Sequence, residues 1–169
     1  MGSRKKALLI ICSEGGHTVQ MERLLGQLDL RNKNFTYDVV LLTDTKRLKI
    51  DFHVFFNQVY FVPQLRNKLS ALNSILMLPI VFLHNLAIVF RIYCKWRVGA
   101  VLSTGAGVAI LPIIMARLFG IKTVFIETWS KFEGLTFSGV ICKKLVTRFY
   151  FQNKELSKFA KKGIYAGRL

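Results

Sequence analysis

The chain has 169 residues, enough for one domain with a sizeable core and too few for two. Hydrophobic residues make up 52% of it and the mean hydropathy is +0.37, so part of its apolar surface is expected to face a membrane or a partner rather than water. Twenty-five Lys and Arg against nine Asp and Glu give a formal charge of +16, which disfavours basic ligands and points to lipid headgroups, nucleic acid or a phosphorylated substrate.

Residues 1–6 are basic and run straight into an apolar stretch, leaving no room for a signal peptide or an N-terminal anchor. Residues 7–11 read as a buried strand. The run stops at Ser13-Glu14-Gly15-Gly16-His17-Thr18 and restarts as an amphipathic helix with apolar positions at Val19, Met21, Leu24, Leu25 and Leu28. Strand, glycine turn and helix form the first unit of an open α/β sheet, whose ligands sit outside the carboxyl ends of the strands. Gly15 and Gly16 allow a sharp turn and a close approach of backbone to ligand. The amides that open the helix suit an anion such as a diphosphate. His17 stands there with a side chain able to move a proton near neutral pH. A Gly-Gly turn is common in βα units of any function, and a histidine at a helix start is often only a surface residue.

Residues 32–34 read as a turn, 36–42 as a second strand, and 43–49 as a polar loop whose Lys46, Arg47 and Lys49 form a solvated face. Residues 58–62 suggest a third strand, ended by Pro63. Arg66 and Lys68 then lead into 22 residues without a formal charge, 69–90. That length invites a membrane span. A single crossing is rejected, because strands on either side of it belong to one sheet, and Asn73, Pro79, His84 and Asn85 make it a poor span. At ~100° per residue, Ser70, Asn73, His84, Arg91 and Lys95 share one narrow face and the rest of the circumference is apolar. Packing on a sheet uses one stripe. The remaining arc is expected to lie in the membrane plane or insert shallowly. The membrane-associating helix of about 69–92 would use Leu76, Ile80, Phe82, Leu83 and Phe90, with Arg91, Lys95 and Arg97 for anionic headgroups. A fully buried helix, or one covered by a partner, is the competing reading.

Residues 98–103 read as a strand, Thr104-Gly105-Ala106-Gly107 as a second glycine turn, and 108–119 as a helix. Gly105 and Gly107 lack the third glycine of a dinucleotide fingerprint, since Ile110 stands in its place. Residues 122–126 form another strand, ending at Glu127. A helix over 137–146, a strand over 148–151, a basic helix over 153–162 and a last short strand over 163–166 follow. The three cysteines, Cys12, Cys94 and Cys142, are far apart, with neither a disulfide framework nor metal-ligand spacing. One sheet edge thus collects Ser13, Gly15, Gly16, His17, Thr18, Thr104, Gly105, Gly107 and Glu127, glycine turns for a diphosphate and a His and a Glu for proton transfer.

Ser13-x-Gly15-Gly16-His17 after the first strand, Ser103-Thr104-Gly105-Ala106-Gly107 before an apolar helix, and Phe125-Ile126-Glu127 together resemble the N-terminal domain of two-domain glycosyltransferases. The chain is most similar to the membrane-associated subunit of the two-subunit N-acetylglucosaminyltransferase of lipid-linked oligosaccharide synthesis, and to its bacterial counterparts in capsule and exopolysaccharide assembly. The peptidoglycan glycosyltransferase that makes lipid II is a more distant relative. The resemblance covers nearly the whole chain. It implies a Rossmann-like open parallel sheet over 1–169, equivalent to the N-terminal half of a GT-B glycosyltransferase.

It further implies a split, inverting, UDP-sugar-dependent enzyme on the cytoplasmic face of the cell membrane. This chain would bind a polyprenyl-pyrophosphate-linked acceptor and recruit a separate donor-binding subunit. By analogy, His17 is a general base or diphosphate contact, and Glu127 a contact for acceptor, partner or helix amides. Glu14 departs from the family pattern, putting a negative charge beside the proposed phosphate site, and the N-terminal anchor of eukaryotic relatives is not expected here. No Asp-x-Asp motif occurs, and no metal or cofactor is called for.

Two other functions compete. A non-catalytic membrane anchor would leave all chemistry to the partner. A nucleic-acid binder, prompted by the charge, would show basic residues interleaved with exposed aromatics; the aromatics here fall mostly in strand and helix cores and no nucleic-acid motif appears, so nucleic acid is not expected as a partner.

Overall fold

The computed structural model describes residues 5–28, 35–45, 55–64 and 71–169, with side chains from Pro79 onward in the last segment. The turn at 32–34, the loop cations Lys46, Arg47 and Lys49, Arg66, Lys68 and the side chains of Asn73 and Leu76 lie outside it. Seven strands form one parallel sheet: β1 (Lys6–Cys12), β2 (Asp38–Thr43), β3 (Gln58–Phe61), β4 (Arg97–Ser103), β5 (Lys122–Ile126), β6 (Arg148–Phe151) and β7 (Ile164–Tyr165), in the order β3-β2-β1-β4-β5-β6-β7. This is an α/β, Rossmann-like sheet. Its order reverses direction at β1, so the crevice between the carboxyl ends of β1 and β4 is where a ligand of such a sheet sits.

Among the described residues four helices connect the strands: α1 (Gly16–Gln27), α2 (Ala71–Lys95), α3 (Ile110–Leu118) and α4 (Phe137–Cys142). Leu9 and Ile11 of β1, Val101 of β4 and Phe125 of β5 pack with Val89 and Ile92 of α2, Ile113 and Ala116 of α3, and Cys142 of α4. On the opposite face Ile10, Cys12, Val39 and Leu41 pack under Met21 and Leu25 of α1. Right-handed crossovers account for the division: α1, between β1 and β2, covers one face, and α2, α3 and α4, which follow β3, β4 and β5, cover the other. Among the described residues no helix covers the α1 face over β4–β6. An apolar groove of about 450 Å³ runs there, floored by Leu102, Val124, Ile126 and Tyr150 and walled by Leu24 and Leu28.

The strands lie where apolar runs predict them. Three helical segments differ. The stretch after the second glycine turn opens as a 3-10 turn (Gly107–Ala109) before α3, α4 ends at Cys142, and the basic helix expected over 153–162 is a 3-10 turn, Lys154–Lys158. A connection of a dozen residues from β6 to a parallel β7 has little room for several α-helical turns and two loops.

In α2, Asn85, Val89 and Ile92 face the sheet, while His84, Arg91 and Lys95 are exposed on one side and Ile80, Phe82, Leu83 and Phe90 are exposed as well. The helix lies between β3 and β4 of one sheet. Among the described residues, no helix is long and apolar enough to cross a membrane.

Candidate functional site

Two glycine turns meet at the crevice between β1 and β4. The first is organised by Gly15, whose φ of +89° favours glycine. Thr18 and Val19 donate their amides to the Gly15 carbonyl, and no side chain caps α1. The amides of Gly16 and His17 at its start precede the first intrahelical bonds. Among the described residues, a Cβ built on Gly15 meets nothing within 4 Å.

Ser13 and Thr18 hold the turn together. The buried Ser13 hydroxyl donates to Asp44 Oδ2 at 2.6 Å, and the buried Thr18 hydroxyl donates to the Ser13 carbonyl at 2.6 Å. Asp44 also accepts the Glu14 amide through Oδ1 at 2.9 Å, and Glu14 Oε2 accepts Gln64 Nε2 at 3.0 Å. Sequence reasoning missed Asp44, which it left in a solvated loop. Its place one residue beyond β2, the neighbour of β1, was the available signal.

The second turn follows β4. Ser103 Oγ accepts the Gly105 amide at 3.1 Å, and Gly105 has φ +108°. Ala106, at φ 72° and ψ 163°, occupies a region that is essentially glycine's alone. Such strain costs about 1–3 kcal/mol and collects at functional loops. No side chain caps the Gly107–Ala109 turn and no acidic residue stands in it.

His17 and Thr104 clasp the turns to each other. His17 Nδ1 lies 2.8 Å from the Thr104 carbonyl oxygen, and Thr104 Oγ1 donates to the His17 carbonyl at 3.0 Å. A carbonyl only accepts, so Nδ1 carries the proton in this bond and the neutral ring keeps its lone pair on Nε2. The ring is half-buried. A Cβ on Gly105 would stand 3.0 Å from both Cε1 and Nδ1 of His17, so glycine there is what admits the imidazole. The arrangement offers a fixed histidine base beside backbone amides from two turns.

Glu127 is placed differently. It is 0% exposed at the end of β5. Oε1 accepts the Thr128 amide at 2.9 Å, Oε2 accepts the Thr136 amide at 3.1 Å, and the Thr136 hydroxyl donates across both oxygens at 2.9 and 3.0 Å. Thr136 in turn caps α4 by accepting the Gly139 amide at 3.0 Å. A Cβ on Gly139 would overlap Glu127 Oε2. The Glu127 carbonyl accepts Gln20 Nε2 at 3.3 Å and Gln152 Nε2 at 2.9 Å. Among the described residues no hydrogen bond joins His17 to Glu127. The structure thus ties Glu127 to the Thr128 amide and to Thr136, the residue that caps α4, and brings Gly15, Gly16, His17, Thr104, Gly105 and Gly107 together at the crevice.

The family model described as "Oligosaccharide biosynthesis protein Alg14 like" matches residues 8–169. Among solved structures, Acinetobacter baumannii MurG is 17% identical with a TM-score of 0.54, over 88% of this chain and 41% of that one. The UDP-GlcNAc 2-epimerase of Methanocaldococcus jannaschii is 11% identical with a TM-score of 0.62, over 96% of this chain and 45% of that one. Another UDP-N-acetylglucosamine 2-epimerase is 11% identical with a TM-score of 0.65, over 94% and 45%. The chain spans less than half the length of these structures, and at such identities they establish the fold. A search of curated proteins finds no match. The match over residues 8–169 carries the assignment: the chain belongs to the family of Alg14-like oligosaccharide biosynthesis proteins.

Proposed function

We propose that this chain is the acceptor-binding subunit of a split, inverting, UDP-sugar-dependent glycosyltransferase, acting at the cytoplasmic membrane face in bacterial capsule or exopolysaccharide synthesis. The observation that carries the reading is the His17–Thr104 clasp, which leaves Nε2 as a base beside two turns with uncapped amides. In this reading the diphosphate of a polyprenyl-pyrophosphate-linked acceptor rests on the amides around Gly16 and Gly107. His17 Nε2 takes the proton of an acceptor sugar hydroxyl as that oxygen attacks the anomeric carbon. The UDP leaving group departs from the opposite side, which inverts the centre. Ser13, Thr18 and Asp44 keep the first turn in shape. Glu127 ties the β5 loop to α4 and supports the second wall of the site.

The donor-binding subunit would seat on the bare sheet face, where the groove over Leu102, Val124 and Tyr150 has no covering helix from the described chain. All-parallel sheets are normally covered on both faces, and relatives of this fold are more than twice as long.

The test is sugar transfer from labelled UDP-sugars to a polyprenyl-pyrophosphate-linked acceptor, with the chain alone and with a candidate donor-binding subunit. Activity only with both is expected. Activity from this chain alone would overturn the division of labour. In the reconstituted pair, His17→Ala should lower turnover by roughly 10²–10⁴-fold. Normal turnover of that variant would favour the non-catalytic anchor instead.

A further inference from the structure

The helix layer has an unusual outer surface. In α2 the side turned from the sheet carries Ile80, Leu83 and Phe90, and Leu83 is 63% exposed. In α3 the corresponding side carries Ile114 and Leu118, continued by Phe119, with Leu118 74% exposed. In α4 it carries Phe137 and Val140, with Phe137 78% exposed. A helix packed on a sheet ordinarily shows water a polar back; all three of these show an apolar one. The three lie side by side, α2 against α3 and α3 against α4. Tyr93 of α2 joins the first pair by donating to the Pro112 carbonyl at 2.8 Å and stacking with Phe119. Their exposed apolar groups therefore belong to one surface.

The charges around this surface have one sign. No Asp or Glu occurs from residue 52 to 126, nor from 134 to 154, so α2, α3 and α4 carry no carboxylate. Cations gather where the helices end, at Arg91 and Lys95, at Arg117, and at Lys143 and Lys144. Cations suit helix carboxyl ends through the helix dipole, which explains one or two at each. It does not explain Lys158, Lys161 and Lys162, which with Lys143 and Lys144 line a cavity of about 710 Å³ that has no acidic side chain in its wall. Phe149 and Phe159 also line it. Phe149 belongs to the core beneath the three helices, so the cavity lies on their side of the sheet, at the end of α4.

We propose that the outer surface of α2, α3 and α4 together is the lipid-contact face, and that the lysine-lined cavity at its margin receives the phosphate of an anionic phospholipid. This rests on the membrane association in the function proposed above and extends it from one helix to the whole layer. Apolar backs enter the boundary between headgroups and acyl chains while lysines attract the negatively charged leaflet. A protein partner would find no carboxylate on these helices to pair with its cations, whereas an anionic leaflet needs none. The same face would orient the glycine turns, which lie at the edge where the helices begin, toward a lipid-borne acceptor.

Flotation of the full chain with vesicles of phosphatidylcholine alone, and of phosphatidylcholine mixed with phosphatidylglycerol, tests this, circular dichroism confirming that each variant is folded. The native chain should bind the mixed vesicles more tightly. Leu118→Ser with Phe137→Ser should lower partitioning onto both vesicles by about tenfold or more. Lys158→Gln with Lys161→Gln and Lys162→Gln should lower it by roughly ten- to a hundredfold on the mixed vesicles and little on the neutral ones. Lys6→Gln with Lys122→Gln and Arg148→Gln, on the α1 face, is the charge-matched control and should have a much smaller effect. An equal loss in the control would overturn the cavity as a site. Loss only in Leu83→Ser with Phe90→Ser, with the α3–α4 and lysine variants binding normally, would overturn the three-helix face and leave a single membrane helix. Failure of the native chain to bind either vesicle would overturn membrane association itself.

Discussion

His17 and Glu127 stand at one edge of the same sheet, each just beyond a strand, and the fold treats them in opposite ways. His17 is half-buried and fixes only Nδ1, through a carbonyl of the facing turn. Glu127 is sealed, with both oxygens taken by the Thr128 amide and by Thr136. Among the described residues, the first arrangement leaves the Nε2 lone pair without a hydrogen bond. The second spends a charge on holding a loop and the start of a helix, as buried charges usually must. A polar residue at a carboxyl edge thus becomes a reagent or a fastener according to what the next connection places over it.

The widest test of this contrast is Glu127→Ala. It strands two amides and a hydroxyl in a closed space, and should cost about 3–5 kcal/mol in urea unfolding. His17→Ala should cost only about 1 kcal/mol in the same measurement while removing most turnover. Comparable stability losses at the two positions would erase the distinction.

Each region also has a buried thiol beneath it, and both should report on alkaline pH. Burial, followed by the charges of Asp44 and Glu22, outweighs the Thr43 hydrogen bond and pushes Cys12 up to about 12. Burial and then the charge of Glu127 push Cys142 up to about 12. Above pH ~9 the unfolded chain releases these protons and the folded one keeps them, so stability falls as pH rises, by up to about 1.4 kcal/mol per pH unit for each thiol until pH ~12. Equilibrium unfolding of the native chain and of Cys12→Ala with Cys142→Ala between pH 8 and 10 should show the slope shrink in the variant. At pH 8 a thiol reagent should modify the exposed Cys94 and spare the other two.

A smaller effect is expected at Gly105→Ala, where φ is +108° and the new methyl presses on the His17 ring. A loss of about 1–2 kcal/mol, with a fall in turnover of the reconstituted pair beyond what that stability loss explains, would tie this glycine to the base. The smallest change is Ala106→Gly, which should stabilise the chain by about 1 kcal/mol by relieving the backbone. Weaker acceptor binding in that more stable variant would identify the strain as part of the site.

Much of the crevice is legible in the residues because its parts are local. Gly15-Gly16-His17 and Thr104-Gly105 lie directly after apolar runs, and a strand that ends at a glycine leaves few places for the next residues to go. Asp44 escapes such reading because its partners, Ser13 and Glu14, are thirty residues away and meet it only through the β1–β2 pairing. Glu127 is recognisable as important, but its direction depends on Thr136 and Gly139, in a segment whose sequence shows a helix and not what that helix covers. The outward apolar sides of α3 and α4 are hidden for a related reason. A short helix with apolar residues on all sides reads simply as buried.

By itself the sequence determined the seven strands, the glycine turns between strand and helix, and the excess of cations, since each follows from neighbouring residues: apolar runs, positive-φ positions and charge counts. Only the tertiary structure decided that β1 and β4 lie adjacent, that His17 and Thr104 fasten their turns together, and that Glu127 is enclosed. Those outcomes depend on strand order and on which face each crossover covers. They arise from packing between residues far apart in the chain, which local pattern does not encode.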